Sequence, residues 1–482
     1  MKVFKISDLN KAISGKLIQG SSDMPVHSIS IDSRTLKPGD LFFALSGPNF
    51  DGHHFAMDVF DKDGCGIVID RKIDMLDQIK EIHFNKVIIE VEDTLKALQD
   101  WAKFLKKKFK TYNICITGST GKTTTKELTS SILSLKYRLL KTAGNYNNEI
   151  GIPLTLLKLK EYHEILIIEM GMRGLGEIRD LTDIVKPDLA VITNIGVSHI
   201  GLLGSKRSIF SAKSEILTAL SEDGIAVLNR DDNYYHKLRE LVQNKKIFTF
   251  GIKNASDIMA SNIQFNNEKG MKFHFKIGKK QINEFCLPLL GIHNIYNALA
   301  ATAIAFALGV DDNLIIKGLT SIEPIKMHMQ PINFYDGIKI LNDSYNASPA
   351  SVRSALITFQ EIAQEHRKIV ILGDMLELGK MTNFYHERVG REIAHLNIDY
   401  LITLGKGGKT IARSALDNGM PNDCVFSFSK DNKEKLSKKL LSLLKPLDYI
   451  LIKASRGMEM EKIQKYLHKK YKNKMEWIKD ND

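Results

Sequence analysis

The chain has 482 residues, 43% of them hydrophobic and 26% charged, with a formal net charge of +12. That length exceeds one ordinary core and predicts about two to four domains, here three. The composition is that of a soluble globular enzyme, and no run of about 18 apolar residues is present to span a bilayer. The positive excess favours anionic partners (nucleotides, phosphorylated sugars or nucleic acid) without choosing among them. Much of it lies in runs such as Lys106-Lys107-Lys108 and Lys469-Lys470-Tyr471-Lys472, which read as solvated faces. The start, Met1-Lys2-Val3-Phe4-Lys5, is soon interrupted by Asp8 and lacks an apolar signal core, so the expectation is a cytoplasmic protein. Cys65, Cys115, Cys286 and Cys424 are too scattered for a disulfide framework or a zinc site and are expected to be reduced and mostly buried.

In chain order, residues 1–92 hold the short strand-like runs Asp40–Leu45 and Gly66–Ile69 between turn-forming clusters, which predicts a small α/β domain. From Thr94 to Phe109 the apolar residues Leu95, Leu98, Trp101, Ala102 and Leu105 recur at helical spacing. Residues 93–321 alternate helices with the apolar strands Ile114–Ile116, Ile165–Ile168 and Leu189–Ile192, predicting a parallel sheet with ligands at its carboxyl ends. Residues 322–482 repeat the theme with Ile369–Gly373, Tyr400–Gly405 and Tyr449–Ile452, a second doubly wound, Rossmann-like domain. The expected fold class is therefore α/β in three domains.

The strongest chemical signal is Ile116-Thr117-Gly118-Ser119-Thr120-Gly121-Lys122-Thr123-Thr124-Thr125, set between an apolar strand and a helical run. It reads as a phosphate loop. Glycines let backbone N–H groups close around phosphates, the helix N-terminus adds positive potential, Lys122 neutralises the β and γ oxygens, and the Thr123 hydroxyl suits magnesium. Only two residues separate Gly118 from Gly121, whereas the general pattern has four before its Gly-Lys pair.

This compact loop resembles that of the Mur ligases and their relatives, the folylpolyglutamate and cyanophycin synthetases, which activate a carboxylate as an acyl phosphate with ATP. Further motifs match the Mur ligase pattern in order along nearly the whole chain. Glu169, ending an apolar strand before Met170-Gly171, places a carboxylate where a hard oxygen ligand suits magnesium; a strand cap is the plain alternative. The resemblance implies that His199, in Thr193–His199, binds a second magnesium, and that Lys213, in Ala212-Lys213-Ser214-Glu215, is carbamylated, converting an ammonium into an anion. An unmodified surface lysine on a helix is the alternative there. Gly291-Ile292-His293-Asn294-Ile295-Tyr296-Asn297 matches the family's Gly-x-His-Asn-x-x-Asn, implying contacts of His293, Asn294 and Asn297 with the base and ribose of ATP. Those three are spaced to converge on one ligand, and Asn294 also suits a helix N-cap.

Asn342-Asp343-Ser344-Tyr345-Asn346-Ala347-Ser348-Pro349 resembles the family's Asp-Asp-Ser-Tyr-Asn-Ala-Asn-Pro and keeps Asp343 as the carboxylate expected to face the nucleotide; Asn342 and Ser348 depart from it. Where the family commonly has an arginine for the γ-phosphate, this chain has His328, a weaker and pH-dependent cation, with Lys326 nearby. Leu372-Gly373-Asp374-Met375-Leu376-Glu377-Leu378-Gly379, Lys453-Ala454-Ser455-Arg456 and Asn145–Pro153 resemble the branch of the family that adds D-alanyl-D-alanine to a UDP-linked muramoyl tripeptide. The Asp-Asn-Pro-Arg of the branch that adds the third residue is missing. The resemblance implies substrate contacts from Asn145, Asn147, Asn148, Glu149, Tyr345, Asn346, Lys453, Ser455 and Arg456. In the first domain, Asp32-Ser33-Arg34 and the run from Pro38 to Gly47 resemble the family's UDP-binding domain and imply contacts from Ser33, Arg34 and Gly47; an exposed ion pair is the alternative for Arg34. The expected partners are ATP, magnesium, the tripeptide and the dipeptide, with no nucleic acid and a monomeric state. Whether the tripeptide's third residue is lysine or diaminopimelate is not written in the sequence. A nucleotide-switched protein binding nucleic acid is the rival reading from another class, but it has no aromatic-interleaved basic motif to support it.

Overall fold

The computed structural model describes residues 4–71, 76–266 and 269–479. These form two compact units. The first comprises residues up to 115 with 137–171 and 177–188, and the second 116–136, 172–176 and 189 onward.

In the first unit a five-stranded sheet runs in the order Lys16–Gln19, Val87–Glu90, Gly66–Ile69, Asp40–Phe43, Ser28–Ser30, antiparallel only at its first pair. Central strands covered on both faces need apolar side chains pointing both ways, and Asp40-Leu41-Phe42-Phe43 is buried throughout. Leu41, Phe43, Val68 and Ile89 pack with Leu98 and Trp101 of the helix Thr94–Lys108, while Phe42, Ile67 and Ile88 pack with Val59 and Phe60. That helix starts where expected because the Asp93 carboxylate accepts the Lys96 N–H at 2.8 Å, occupying one of the first-turn donors. At its other end Lys107 and Lys108 are exposed and Lys106 is half-buried. The strands Leu139–Lys141 and Ile165–Glu169 pair in parallel in this unit too.

The strand Tyr112–Thr117 begins in the first unit, where the Asp188 N–H donates to Asn113 O at 2.9 Å. Its carboxyl end enters the second, where the Thr193 N–H donates to Thr117 O at 3.0 Å. There Leu189–Ile192, Ile225–Asn229, Lys246–Gly251 and Ile258–Phe265 follow one another in parallel. The expected parallel sheet is then extended by two antiparallel strands, Met271–Ile277 and Lys280–Leu287. In Met271–Ile277 the apolar residues alternate with half-buried or exposed ones, the signature of a sheet with one face packed and the other wet.

The second unit also carries a six-stranded sheet, in the order Gln330–Asn333, Lys339–Asp343, Tyr449–Lys453, Lys368–Gly373, Tyr400–Leu404, Val425–Phe428, antiparallel only at the first pair. Its two faces have separate cores, one around Leu341, Val370 and Phe359, the other around Ile340, Ile371 and Ile463. The α/β class with three sheet-centred domains is thus observed. All four cysteines are free thiols, but only Cys115 is buried; Cys65, Cys286 and Cys424 are half-buried, which corrects the expectation of mostly buried thiols. Among the described residues no helix is long and apolar enough to cross a membrane.

Candidate active site

The strand Tyr112–Thr117 ends in the loop Gly118–Gly121, and the helix Lys122–Leu133 starts directly after it. Gly121 caps that helix at φ +82, in the left-handed region, and a Cβ there would lie 2.2 Å from Asn297 Oδ1. Both conformation and space demand glycine. The loop rests on Thr193–Ser198. Ser119 N–H donates to Asn194 O at 3.0 Å, the Asn194 side-chain amide donates to Thr120 O at 3.0 Å, and Thr193 Oγ1 donates to Thr120 O at 2.6 Å. Gly196 N–H donates to Ser119 Oγ at 2.8 Å, and Ser198 Oγ to Ser119 O at 3.1 Å. Asn194 also accepts from the Thr120 N–H at 3.2 Å, so one amide holds the loop through both its ends. Its place beside the motif was visible in the sequence; its job was not.

Two lysines meet on one oxygen. Lys122 Nζ donates to Gly118 O at 2.9 Å and Lys213 Nζ to the same atom at 3.0 Å. Lys213, on the helix Lys206–Thr218, is 1% exposed, which removes the surface-lysine alternative. Burial, and then the charge of Lys122, push its pKa well below the ordinary lysine value. The shift favours the neutral amine, held beside the phosphate-loop lysine.

On the helix Ile292–Ala307 the signature residues divide rather than converge. The Asn297 amide donates to Asn294 Oδ1 at 2.9 Å, and Asn297 Oδ1 faces Gly121 and accepts from Thr125 Oγ1 at 3.4 Å. His293 points elsewhere, its Nδ1 lying 2.9 Å from Ser354 Oγ, and burial pushes its pKa down to about 4. Asn294 is not the N-cap: Gly291 is, and the Asn294 amide donates to Leu290 O at 2.8 Å. Tyr296, unremarked in the sequence, donates to Asp231 Oδ2 at 2.8 Å, and Asp231 gathers the N–H groups of Ile252, Lys253 and Asn254.

Further along the second unit, register places Asp343 opposite Lys453 at the carboxyl ends of adjacent parallel strands, and their side chains pair at 2.5 Å. Lys453 also donates to Asn346 O at 3.0 Å, and Asp343 Oδ1 accepts the Met329 N–H at 3.2 Å. Asn342 accepts from Ser344 Oγ at 2.6 Å and reaches Gln464 at 2.9 Å. Ser348 caps the helix Pro349–Ala363 through Ser351, a task serine and asparagine perform about equally, which explains its departure from the family residue. The His328 and Tyr345 rings lie 4.4 Å apart. Ser455 Oγ accepts the Leu376 N–H at 2.9 Å, tying the last strand's loop to Leu372–Gly379, and Arg456 pairs with Glu461 at 2.7 Å. Within that loop Glu377 lies 2.6 Å from His199 Nδ1. Among the described residues no three His, Cys, Asp or Glu side chains are grouped to hold a metal on their own.

In the first unit Glu169 is 1% exposed at the end of its strand and accepts from the Asn147 amide at 2.8 Å. Asn148 Oδ1 accepts the Gly151 N–H at 3.0 Å, Glu149 O accepts from Gln99 at 3.1 Å, and Asn145 is exposed. Ser33 is buried. Arg34 is 86% exposed and grips Asp32 through two 2.8 Å bonds that hold the Asp32 carboxyl down to about 2, so the exposed ion pair is real. Gly47 sits in a two-stranded ribbon with Phe50, beside a buried His53 that bridges Asp51 at 2.7 Å and Asp70 at 3.2 Å.

Three family descriptions match the chain: "Mur ligase family, catalytic domain" over residues 25–105, "Mur ligase middle domain" over 116–305, and "Mur ligase, glutamate ligase domain" over 328–456. A Bacillus subtilis protein named UDP-N-acetylmuramoyl-tripeptide--D-alanyl-D-alanine ligase is 37% identical over 466 residues, covering 96% of this chain and 98% of its own. Crystal structure I of MurF from Acinetobacter baumannii superposes with a TM-score of 0.86 at 30% identity, covering 98% of this chain and 100% of that one. MurF ligase from Thermotoga maritima in complex with ADP gives 0.79 at 27% identity, covering 93% and 99%.

Proposed function

The chain belongs to the Mur ligase family, and from that premise we propose that it joins D-alanyl-D-alanine to UDP-N-acetylmuramoyl tripeptide, converting ATP to ADP and phosphate. The observation that carries the reading is the compact phosphate loop with Lys122 and Lys213 on the Gly118 carbonyl, in a chain that matches relatives named for this reaction end to end. The tripeptide's terminal carboxylate attacks the γ-phosphorus, ADP leaves, and an acyl phosphate forms. Lys122 and the helix N-terminus at Lys122–Thr124 stabilise the charge that develops on the transferring oxygens. The dipeptide amine then attacks the acyl carbon, loses a proton, and expels phosphate as the amide forms.

Magnesium, when bound, supplies Lewis-acid neutralisation of the phosphoryl oxygens. For a hard cation we assign the Thr123 hydroxyl, at the second residue of the loop helix, and the Glu169 carboxylate, both oxygen donors. His199 and the carbamate of Lys213 complete the set we assign. Carbon dioxide carbamylates the neutral form of an amine, the form that burial of Lys213 favours, and the carbamate would place an anion against Lys122. For ATP we assign Gly118–Thr124, His293, Asn294, Asn297 and Asp343; for the muramoyl peptide and dipeptide, Asn145–Glu149, Tyr345, Asn346, Lys453, Ser455 and Arg456; and for the UDP end, Ser33, Arg34 and Gly47. The corresponding domains are 1–92, 93–321 and 322–482. The product is the pentapeptide precursor of peptidoglycan, made in the cytoplasm by a monomer and required for wall growth and division.

The test is phosphate release from ATP by the purified full chain with tripeptide and magnesium, with and without dipeptide, alongside the product mass. Dipeptide-dependent release with the pentapeptide mass is expected; release indifferent to both substrates would overturn the assignment.

A further inference from the structure

Glu377 lies in the segment Leu372–Gly379, whose sequence marks the branch but leaves the residue without a task. Its carboxylate Oε2 is 2.6 Å from His199 Nδ1, and its side chain is 39% exposed, so one side remains open to a ligand. The backbone around it is clamped. Gly201 N–H donates to Glu377 O at 3.0 Å, and a Cβ on Gly201 would lie 2.2 Å from Gly379 N, so the two glycines touch backbone to backbone. Glu377 itself stands at φ +65, a region that non-glycine residues enter only at a cost of order 1 kcal/mol or more. The clamp fixes where the carboxylate points. His199 follows Ser198, whose hydroxyl donates to Ser119 O at 3.1 Å, so the pair sits one residue from the phosphate loop. The charges of Arg173 and Lys122 reach the Glu377 carboxyl as well.

An anion at the phosphate end of a nucleotide site repels the ligand's own charge unless a cation comes between them. The second half of the reaction delivers one. A free α-amino group, with a pKa of about 8, arrives largely as an ammonium at neutral pH and must be held near the acyl carbon, where the γ-phosphoryl group has been transferred. Resting on the ligase reading above, we propose that Glu377 is the anchor for the amino terminus of the incoming dipeptide, holding its ammonium beside the phosphate loop. Specificity follows from the same contact. A ligand with the same dipeptide carboxyl end but no amine forgoes this contact and leaves the open side of the Glu377 carboxylate unfilled, with His199 on the other.

Steady-state kinetics on the full chain test this. Glu377→Gln is expected to raise the KM for D-alanyl-D-alanine by about 10- to 100-fold, the range of a lost charge-assisted hydrogen bond, with KM for ATP, tripeptide and magnesium within about twofold of wild type. Glu377→Asp, which keeps the charge, is expected to recover part of the loss. In the wild type, propanoyl-D-alanine, the dipeptide without its amine, is expected to compete at least about tenfold more weakly than the dipeptide binds, and Glu377→Gln to erase that preference. The wild-type arm holds even if the variant folds poorly. A dipeptide KM that does not move, a shift confined to ATP or magnesium, or equal wild-type affinity for the two ligands would overturn the assignment. Absence of dipeptide-dependent turnover in the wild type would instead remove the ligase reading itself.

Discussion

Replacing Lys213 with methionine is expected to raise the melting temperature while removing activity. The amine of Lys213 and that of Lys122 each lie about 3 Å from Gly118 O, so they are separated by about 6 Å at most. Two unit charges at that distance repel by about 3 kcal/mol at an effective dielectric of about 20, and burial adds a desolvation cost to whichever is more enclosed. Lys213 is the enclosed one, and its pKa is the one pushed down. Between its depressed folded pKa and the ordinary 10.5, the unfolded chain therefore binds a proton that the folded chain lacks, and stability rises with pH across that window. Methionine, of similar volume and without charge, removes this penalty and loses one hydrogen bond worth about 1 kcal/mol. The net gain near neutral pH is about 1–2 kcal/mol, or about 2–6 °C, and it should shrink toward pH 10. Scanning calorimetry in buffer stripped of carbon dioxide reads the effect. Added bicarbonate should raise the wild-type transition and leave the methionine variant unmoved, while a short carboxylate partly restores turnover to Lys213→Ala. A methionine variant that melts lower in stripped buffer, or a bicarbonate effect equal in both proteins, would refute the reasoning.

Lys122→Ala is expected to cut phosphate release by about a thousandfold, since it removes the lysine we assign to the transferring oxygens, with the thermal transition little changed. Asn194→Ala releases Thr120 from both ends of one amide, and should raise the KM for ATP about tenfold while the dipeptide KM stays put. Lys453→Met leaves the Asp343 carboxylate without its partner in a site where Lys453 is 2% exposed; urea unfolding should lose about 3 kcal/mol or more, part of it regained by adding Asp343→Asn.

What could be read from the sequence was whatever is written in consecutive residues. Leu189–Ile192 and Gly66–Ile69 are strands with the bounds their apolar runs implied, and the phosphate loop is a continuous string whose backbone does the work. Relations between distant residues were not legible. Asp343 and Lys453 are 110 positions apart and meet only because two parallel strands share a register. Asn194, Asp231 and Glu377 each follow a strand, and nothing local separates a polar residue that ends a strand from one that props a loop. On the helix Ile292–Ala307 the spacing of His293, Asn294 and Asn297 was legible, but not their contacts within the chain, His293 with Ser354 and Asn297 with Asn294. The antiparallel strands at Met271–Leu287 carried their period of two openly, and were passed over because their parallel neighbours set the expectation.

Four of the non-glycine residues with positive φ belong to the candidate site or flank it. Met327 and Met329 stand at φ +61 and +47 on either side of His328, as His199 and Glu377 each stand at +65. Each placement costs of order 1 kcal/mol or more, and three of the four are held from outside. Met327 O accepts the Tyr345 N–H at 3.2 Å and the Met329 N–H donates to Asp343 Oδ1 at 3.2 Å, while Glu377 O receives Gly201. Tyr345 and Asp343 belong to the Asn342–Pro349 motif, and Gly201 lies two residues beyond His199. Glycine at these positions would relieve the cost and let His328, His199 and the Glu377 carboxylate swing, losing the fixed geometry that near-attack placement requires. At these four positions the strained backbone is the frame from which the His328, His199 and Glu377 side chains project, and its rigidity is what glycine would remove.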